Sequence, residues 1–407
     1  MDVPVARRPA HPGGPAPVTL LPVLLAAWAA MPADAESPEP YHRAGDAPLV
    51  YRGPGRERPE PRVDEIRIAW FGPAGDDASE GLEPWRGAVL ALDEENAAGG
   101  YQGVPFRLVP AWSGSPWTAG AALLVRLVYR DEVWAVIAST DGAAAHLAAQ
   151  IALKTRVLTI SPASTDDTVH MARVPWTFSM SPGDDRLAAL LADSIARVGR
   201  LLAVAAAAEH DSHASLVSLR RALTARRLPA PATVVEFSME DLDAGTLAKR
   251  LLAPRPQSIV VLAPAGAAAR LVTDLRRRGY PGVILGGAPL ARRAFRRAAG
   301  PAAEGVTVPV FHEVGRAWDG FVSRYERRWG EPPDDAAGQA YDAVRLLAQA
   351  LRRAGLNRAR LLDAWRDLSS TTATATPVRW DALGRNERRV RLGAWREDVI
   401  APLEGPQ

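Results

Sequence analysis

Apolar β-branched runs alternating with segments of helical period predict an α/β fold on parallel sheets covered on both faces. The stretch Val133–Thr168 is the sharpest instance. Two β-branched runs, Val133–Ala138 and Val157–Ile160, flank the Ala- and Leu-rich segment Gly142–Lys154. Strand, helix and strand in that order form a βαβ unit, and ligands of such units sit at the carboxyl ends of the strands. Those ends carry small polar residues here, Ser139, Thr140 and Asp141 at the first and Ser161 to Thr165 at the second. The first loop also opens a helix, where free backbone N–H groups and the positive dipole end favour an anion. Hydroxyl clusters at such a point suit a small carboxylate better than a long cofactor, and binding better than catalysis.

In chain order, Ile66–Phe71 is the first strand, followed by the loop Gly72–Gly81. A helix then runs from Trp85 to Asn96, and Gly99 and Gly100 stop it. Phe106–Pro110 is the next strand and Thr118–Tyr129, with apolar residues at helical spacing, the next helix. The βαβ unit completes a first lobe near Pro182. A second lobe opens with helix Arg186–Val198 and strand Leu201–Ala206, then helix Leu216–Arg226 and strand Thr233–Phe237. It continues with the short helix Leu247–Leu252, strand Ser258–Leu262, helix Ala267–Arg278 and strand Val283–Leu285. Ahead of all of these, Glu36–Arg62 is rich in Pro, Gly, Arg and Glu without periodicity and reads as a linker.

A chain of 407 residues is long enough for two domains with a large core. Its net charge is only +3 and no basic run interleaves with aromatics, so nucleic-acid binding has no support. The absence of cysteine excludes disulfides, thiol catalysis, thiolate metal sites and a lipid-modified N-terminal cysteine. At the N-terminus Arg7 and Arg8 precede the apolar run Val18–Ala30 and then Ala33-Asp34-Ala35. Charge, short apolar core and small-residue exit are the order of a signal peptide. Residues 1–35 are therefore expected to be cleaved after Ala35, giving a periplasmic or secreted protein; a disordered tail or an uncleaved anchor are the alternatives. The serines lack a G-x-S-x-G context, Gly72–Gly75 is not a dinucleotide fingerprint, and no P-loop is present. Neither an enzyme nor a cofactor is expected. His210, Asp211 and His213 offer two or three metal ligands, short of the closed four of structural zinc, and read as a solvated loop.

Several segments in a fixed order carry a resemblance. They are IRIAWFGP at Ile66–Pro73, GAVLALDEENAAGG at Gly87–Gly100, WTFSMSPGDD at Trp176–Asp185, VILGGAPL at Val283–Leu290 and AAEGVTVPV at Ala302–Val310. The long run from Phe321 to Leu351 and PVRWDALGR at Pro377–Arg385 follow them. From Asp64 to Arg396 the chain resembles the leucine/isoleucine/valine-type periplasmic binding proteins, the type I solute-binding proteins that feed ABC importers. The resemblance implies two Rossmann-like lobes joined by a three-crossover hinge. Lobe I would be 64–182 with 313–374 and lobe II 183–312 with 375–407, after a linker at 36–63. Helices Trp318–Trp329, Gln339–Arg353 and Ala359–Leu368 would lie in lobe I. A terminal hairpin, Val378–Trp380 with Val390–Trp395 around Asp381–Gly384, would return to lobe II. A monomer that holds an amino acid, an amide or a related small carboxylate between its lobes and hands it to an ABC permease is the implied function. A sensing module of the same fold, a relative without a tight ligand, and a nucleotide-using Rossmann enzyme are the rivals.

The same resemblance assigns the ligand carboxylate to Ser139 and Thr140, and the carboxylate with the ammonium to Ala163, Ser164 and Thr165, all of lobe I. Asp211, Ser212 and the backbone of Ala288 would close the cleft from lobe II. A helix cap at Thr140 or Asp141 and an ST-turn at Ser164 and Thr165 are local uses of the same residues. Glu80 stands where many relatives carry an aromatic residue against the ligand. Lobe II departs from the pattern: Gly286-Gly287-Ala288 replaces an acid for the ligand ammonium, and Ala263-Pro264 replaces a tyrosine. A buried ammonium without a partner is costly, so a zwitterionic solute needs Glu209, Asp211 or Asp141 in the acid's place.

Overall fold

The computed structural model describes residues 50–75, 81–138, 140–199, 201–368 and 378–403. Two sheets organise them. The first holds five parallel strands in the order β2-β1-β3-β4-β5: β1 (Ile66–Phe71), β2 (Phe106–Ala111), β3 (Ala135–Ile137), β4 (Leu158–Ser161) and β5 (Thr177–Ser179). The second holds β6 (Leu202–Ala207), β7 (Thr233–Phe237), β8 (Ser258–Leu262), β9 (Val283–Gly286), β10 (Thr307–Val310), β11 (Arg391–Arg396) and β12 (Val399–Pro402). Their order is β12-β11-β10-β9-β8-β6-β7, with β11 antiparallel to both neighbours and the rest parallel.

Helices α1 (Leu82–Ala97), α2 (Ala121–Tyr129) and α3 (Gly142–Thr155) follow the first strands. Next come α4 (Asp184–Val198), α5 (His210–Ala225), α6 (Ala244–Leu252), α7 (Ala265–Arg277) and α8 (Arg293–Ala299) around the second sheet. The chain returns with α9 (Arg316–Trp329), α10 (Asp335–Ala354) and α11 (Arg358–Arg366). Successive side chains of a strand face opposite ways, and each face finds its own helices. In β1, Ile66, Ile68 and Trp70 pack with Phe321 of α9, Leu347 of α10 and Leu362 of α11, while Ala69 and Phe71 pack with Leu124 and Leu147. In β6, Ala203, Ala205 and Ala207 join Leu251 and Leu271, and Leu202, Val204 and Ala206 join Leu191 and Leu219. The chain therefore passes between the two layers three times: after β5, after β10, and between α11 and β11. The crossing of α1 and α10 is close enough that a Cβ on Gly87 would lie 2.1 Å from the Ala337 carbonyl oxygen, so only glycine fits there.

The structure corrects several expectations. Two strands go beyond the sequence reading: β5 is a lone Phe178 between two hydroxyl residues, without the apolar run that marks the equally short β3, and β10 contains Pro309, which argues against a strand. The terminal hairpin is β11 with β12. Val378–Trp380 stays on the first lobe, where Trp380 packs on Phe178 and Trp365 and bridges to Asn386. Part of the supposed linker, residues 50–63, lies against the same lobe. Tyr51 is buried on Trp176, Arg56 makes two bonds to Asp363 at 2.8 and 2.9 Å, and Asn357 donates to the Gly55 carbonyl at 2.7 Å. Side-chain anchors spaced along an aperiodic segment leave no hydrophobic period to detect. Residues 1–49 and Glu80, with the expectations placed on them, lie outside the described residues, as does 369–377.

Candidate functional site

The loops at the carboxyl ends of β3 and β4 meet the start of α5 and the turn after β9. The N-terminus of α3 is the centre of this meeting. Asp141 caps the helix in the ordinary way, its Oδ1 accepting from Ala144 N at 2.6 Å. The preceding free donor, Gly142 N–H, is taken by a carboxylate from the other lobe: Asp211 accepts it at 3.0 and 2.8 Å through its two oxygens. A Cβ at Gly142 would lie 2.6 Å from both Asp211 Oδ1 and Asp166 Oδ2, so any other residue there displaces one of these side chains. Burial raises the Asp211 pKa to about 7; the Gly142 N–H opposes the rise and the nearby acids Asp141, Glu209 and Asp166 add to it.

Beside this seat lies a buried cation that reaches across the cleft. Arg292 follows the turn Ala288–Ala291 and is 7% exposed. Its guanidinium donates to the Thr140 carbonyl at 3.1 Å. Arg292 also lines a cavity of about 10 Å³ with Ala163, Ala288, Phe311, Asp334 and Gln339. That is room for a water at most, so the lobes lie closed on one another here. Gln339 is 3% exposed and its Nε2 has no hydrogen-bond partner. Asp334 caps α10 through Ala337 N at 2.9 Å, and burial followed by the charge of Glu83 pushes its pKa up to about 7.

The crossings carry bonds of their own. Asp184, at the first crossing, accepts from Thr165 Oγ1 at 2.7 Å and from Ser215 Oγ on α5 at 2.9 Å. Burial holds its carboxyl well above the usual range against the pull of both hydroxyls. At the second, Asp335 accepts from Phe311 N at 2.9 Å and lies 2.7 Å from the His312 ring. At the third, Arg388 and Asp342 pair at 3.9 Å with both side chains buried.

Of the residues expected at the site, Ala163 and Ala288 line one cavity, and Thr140 and Asp211 lie on either side of the α3 start. Ser164 and Thr165 are engaged locally: Ser164 Oγ accepts from Asp166 N at 3.2 Å, and Thr165 holds Asp184. Ser212 is buried, with its N–H bonded to Glu209 at 2.8 Å. Ser139 lies outside the described residues. Of the three acids offered as substitutes in lobe II's chemistry, Asp141 and Glu209 cap their own helices, and Asp211 alone reaches across. The run His210–His213, read as a loop, is the first turn of α5, because Glu209 caps it. Sequence reasoning missed Arg292, Asp184 and Gln339. An arginine pair after a glycine turn carries no pattern that distinguishes it from a solvated face.

Comparison with known proteins agrees with this architecture. The family model described as periplasmic binding protein matches residues 65–399. An amino acid binding protein of Pseudomonas aeruginosa is 29% identical over 150 residues, which is 37% of this chain and 40% of the relative's length. The branched-chain amino acid transporter substrate binding protein LivJ of Streptococcus pneumoniae, solved with isoleucine, superposes with a TM-score of 0.76 at 22% identity, over 83% of this chain and 99% of its own. A leucine binding protein, LivK of Thermotoga maritima, gives 0.75 at 20% identity over 83% and 98%. A solute binding protein from R. palustris in complex with benzoate gives 0.75 at 18% over 84% and 96%. With a family match that spans most of its length, this chain belongs to the periplasmic binding proteins.

Proposed function

We propose that this protein is a non-catalytic, extracytoplasmic solute-binding protein that captures a small carboxylate-bearing solute, of the amino-acid or amide class, between its lobes and presents it to an ABC permease as a monomer. The observation that carries the reading is the Asp211 carboxylate seated on the Gly142 N–H at the start of α3. A helix N-terminus flanked by Thr140, Ala163 and the buried Arg292 is a carboxylate seat, and a residue of the opposite lobe holds it in the closed form. A solute carboxylate would displace Asp211, with Thr140, Ala163, Ser164 and Thr165 on one side and Ser212 and the Ala288 backbone on the other. The amino-acid binding of the P. aeruginosa relative and the isoleucine and benzoate of the structural neighbours support that ligand class. Lobes of 64–182 with 313–374 and 183–312 with 375–407 would move as bodies, with 378–386 travelling with the first. Ligand contact with both lobes shifts the population toward closure by its differential affinity. A leader ending at Ala35 fits export.

Calorimetry tests it. Protein unfolded and refolded to strip carried ligand is titrated with amino acids, their amides and simple carboxylates. Saturable binding to members of the panel is expected, and Asp211→Ala should tighten the binding of simple carboxylates severalfold. Silence across the whole panel, in wild type and variant, removes the solute-binding role.

A further inference from the structure

Next to the solute seat, on the far side of Asp166, three metal-ligating side chains converge from both lobes. His146 stands on α3 and Asp166 in the loop after β4, while His210 is the first residue of α5. His146 Nε2 is 3.1 Å and His210 Nε2 2.7 Å from the same oxygen, Asp166 Oδ2. The two rings meet edge to face with centroids 5.0 Å apart, and the three ligating atoms all lie within 4.8 Å of one another. Asp166 Oδ1 is held separately, by the Thr168 N–H at 2.8 Å and its hydroxyl at 2.7 Å. The carboxylate is thereby oriented with Oδ2 toward the histidines, as the outer shell of a metal site orients its ligands. The Asp166 side chain is fully buried, whereas those of His146 and His210 are 23% and 40% exposed. The cluster therefore opens to solvent on the His210 side, onto a groove that Asp167, Asp185 and Glu236 also line.

We infer that His146, Asp166 and His210 form a binding site for a divalent transition cation of the zinc type, with ligands drawn from both lobes. Two imidazole nitrogens and one carboxylate oxygen are a recurring three-ligand set for such ions, with a fourth position left to water on the open side. At zinc bond lengths of about 2.0–2.1 Å, tetrahedral ligand atoms sit about 3.3 Å apart, so small side-chain shifts admit the ion. The groove's acids outnumber its arginines, Arg221, Arg226 and Arg385, which leaves it favourable to a cation. His213, the neighbour that sequence offered as a ligand, points elsewhere and pairs with Glu236 at 3.7 Å. Because His210 comes from lobe II and the other two ligands from lobe I, the ion binds the closed arrangement better than the open one. Cation binding thus favours closure by the same population shift as a solute, through ligands of its own.

The test uses the untagged full chain, freed of metal with a chelator and titrated with zinc chloride by calorimetry, and with Co²⁺ followed by its visible absorption. One equivalent per chain at micromolar affinity or better is expected, with the strong visible bands of four-coordinate Co²⁺. His210→Gln and His146→Gln should each weaken it about tenfold or more, and His213→Gln should leave it unchanged. Zinc should also shrink the radius of gyration of the wild type but not of His210→Gln. Absence of stoichiometric binding in the wild type overturns the site, as does full affinity in His210→Gln, an exposed position whose replacement folds normally by circular dichroism. Binding that falls in His146→Gln but survives in His210→Gln overturns its interlobe character.

Discussion

The two lobes meet with differently built loops. Lobe I brings polar strand ends, Thr140-Asp141 after β3 and Ser164-Thr165-Asp166 after β4, and most of their side chains are bound within that lobe or at the hinge. Lobe II brings Ala208 after β6, Ala263-Pro264 after β8 and Gly287-Ala288 after β9, with almost nothing polar at the strand ends themselves. Its chemistry lies one step further along the chain, in the first turn of α5, where His210 and Asp211 reach over, and in Arg292 past the short turn after β9. A strand end fixes where a loop begins, but a helix start can serve the same cleft with longer side chains.

If lobe II acts through these few side chains, removing its buried cation should be the most damaging change. Arg292→Met takes away a charged donor to Thr140 and leaves Asp334 and Asp141 without its charge, so a loss of about 2–3 kcal/mol is expected in urea unfolding. A change below about 0.5 kcal/mol would show that the cation is not what joins the lobes. Next is Gly142→Ala, which sets a methyl against the carboxylates of Asp211 and Asp166. About 2 kcal/mol of destabilisation is expected from overpacking, unless the lobes part to relieve it. Small-angle scattering distinguishes the two, because relief by opening raises the radius of gyration while stability stays near wild type.

The mildest effect belongs to lobe I's own bracing. His170 is bonded between the Leu383 carbonyl, 2.9 Å from Nδ1, and Ser179 Oγ, 2.7 Å from Nε2. Burial lowers its pKa from 6.5 to about 4, although the Leu383 carbonyl and the charge of Asp381 favour the proton. Between those values the unfolded chain binds a proton that the folded one does not, so its contribution is whole above pH 6.5 and is lost as pH falls toward 4. Wild type should lose about 1–2 kcal/mol more than His170→Gln between pH 7 and pH 5. Equal slopes in chemical unfolding would mean that the ring is protonated in the fold.

The strands and helices of the α/β series were legible wherever a segment had room for a period: β1, β7 and β8 fall at the expected residues. Strands without an apolar run, such as β5 and β10, were not, since Phe178 stands alone between hydroxyl residues and Pro309 points the other way, whereas the equally short β3 and β4 sit in β-branched runs. The site was legible in part. Small polar residues at the ends of β3 and β4 mark lobe I, and Ala163 and Ala288 do line a common cavity. The cross-lobe partners were hidden because they depend on chain separation: Asp211 and Gly142 are 69 positions apart, and Arg292 and Thr140 152. His146 carried no signal of its own, standing alone in an Ala-rich helix 20 positions from Asp166 and further from His210.

If a solute carboxylate takes the Gly142 N–H as proposed, Asp211 also sets the scale of its dose response. A carboxylate carried on the same chain is a tethered competitor, present at an effective concentration fixed by geometry and not by how much protein is made. Every soluble carboxylate meets that constant opponent, so its half-saturation point moves upward by one fixed factor while the curve keeps its simple hyperbolic form. The protein would therefore respond over a higher range of solute, with a half-saturation point that one residue adjusts.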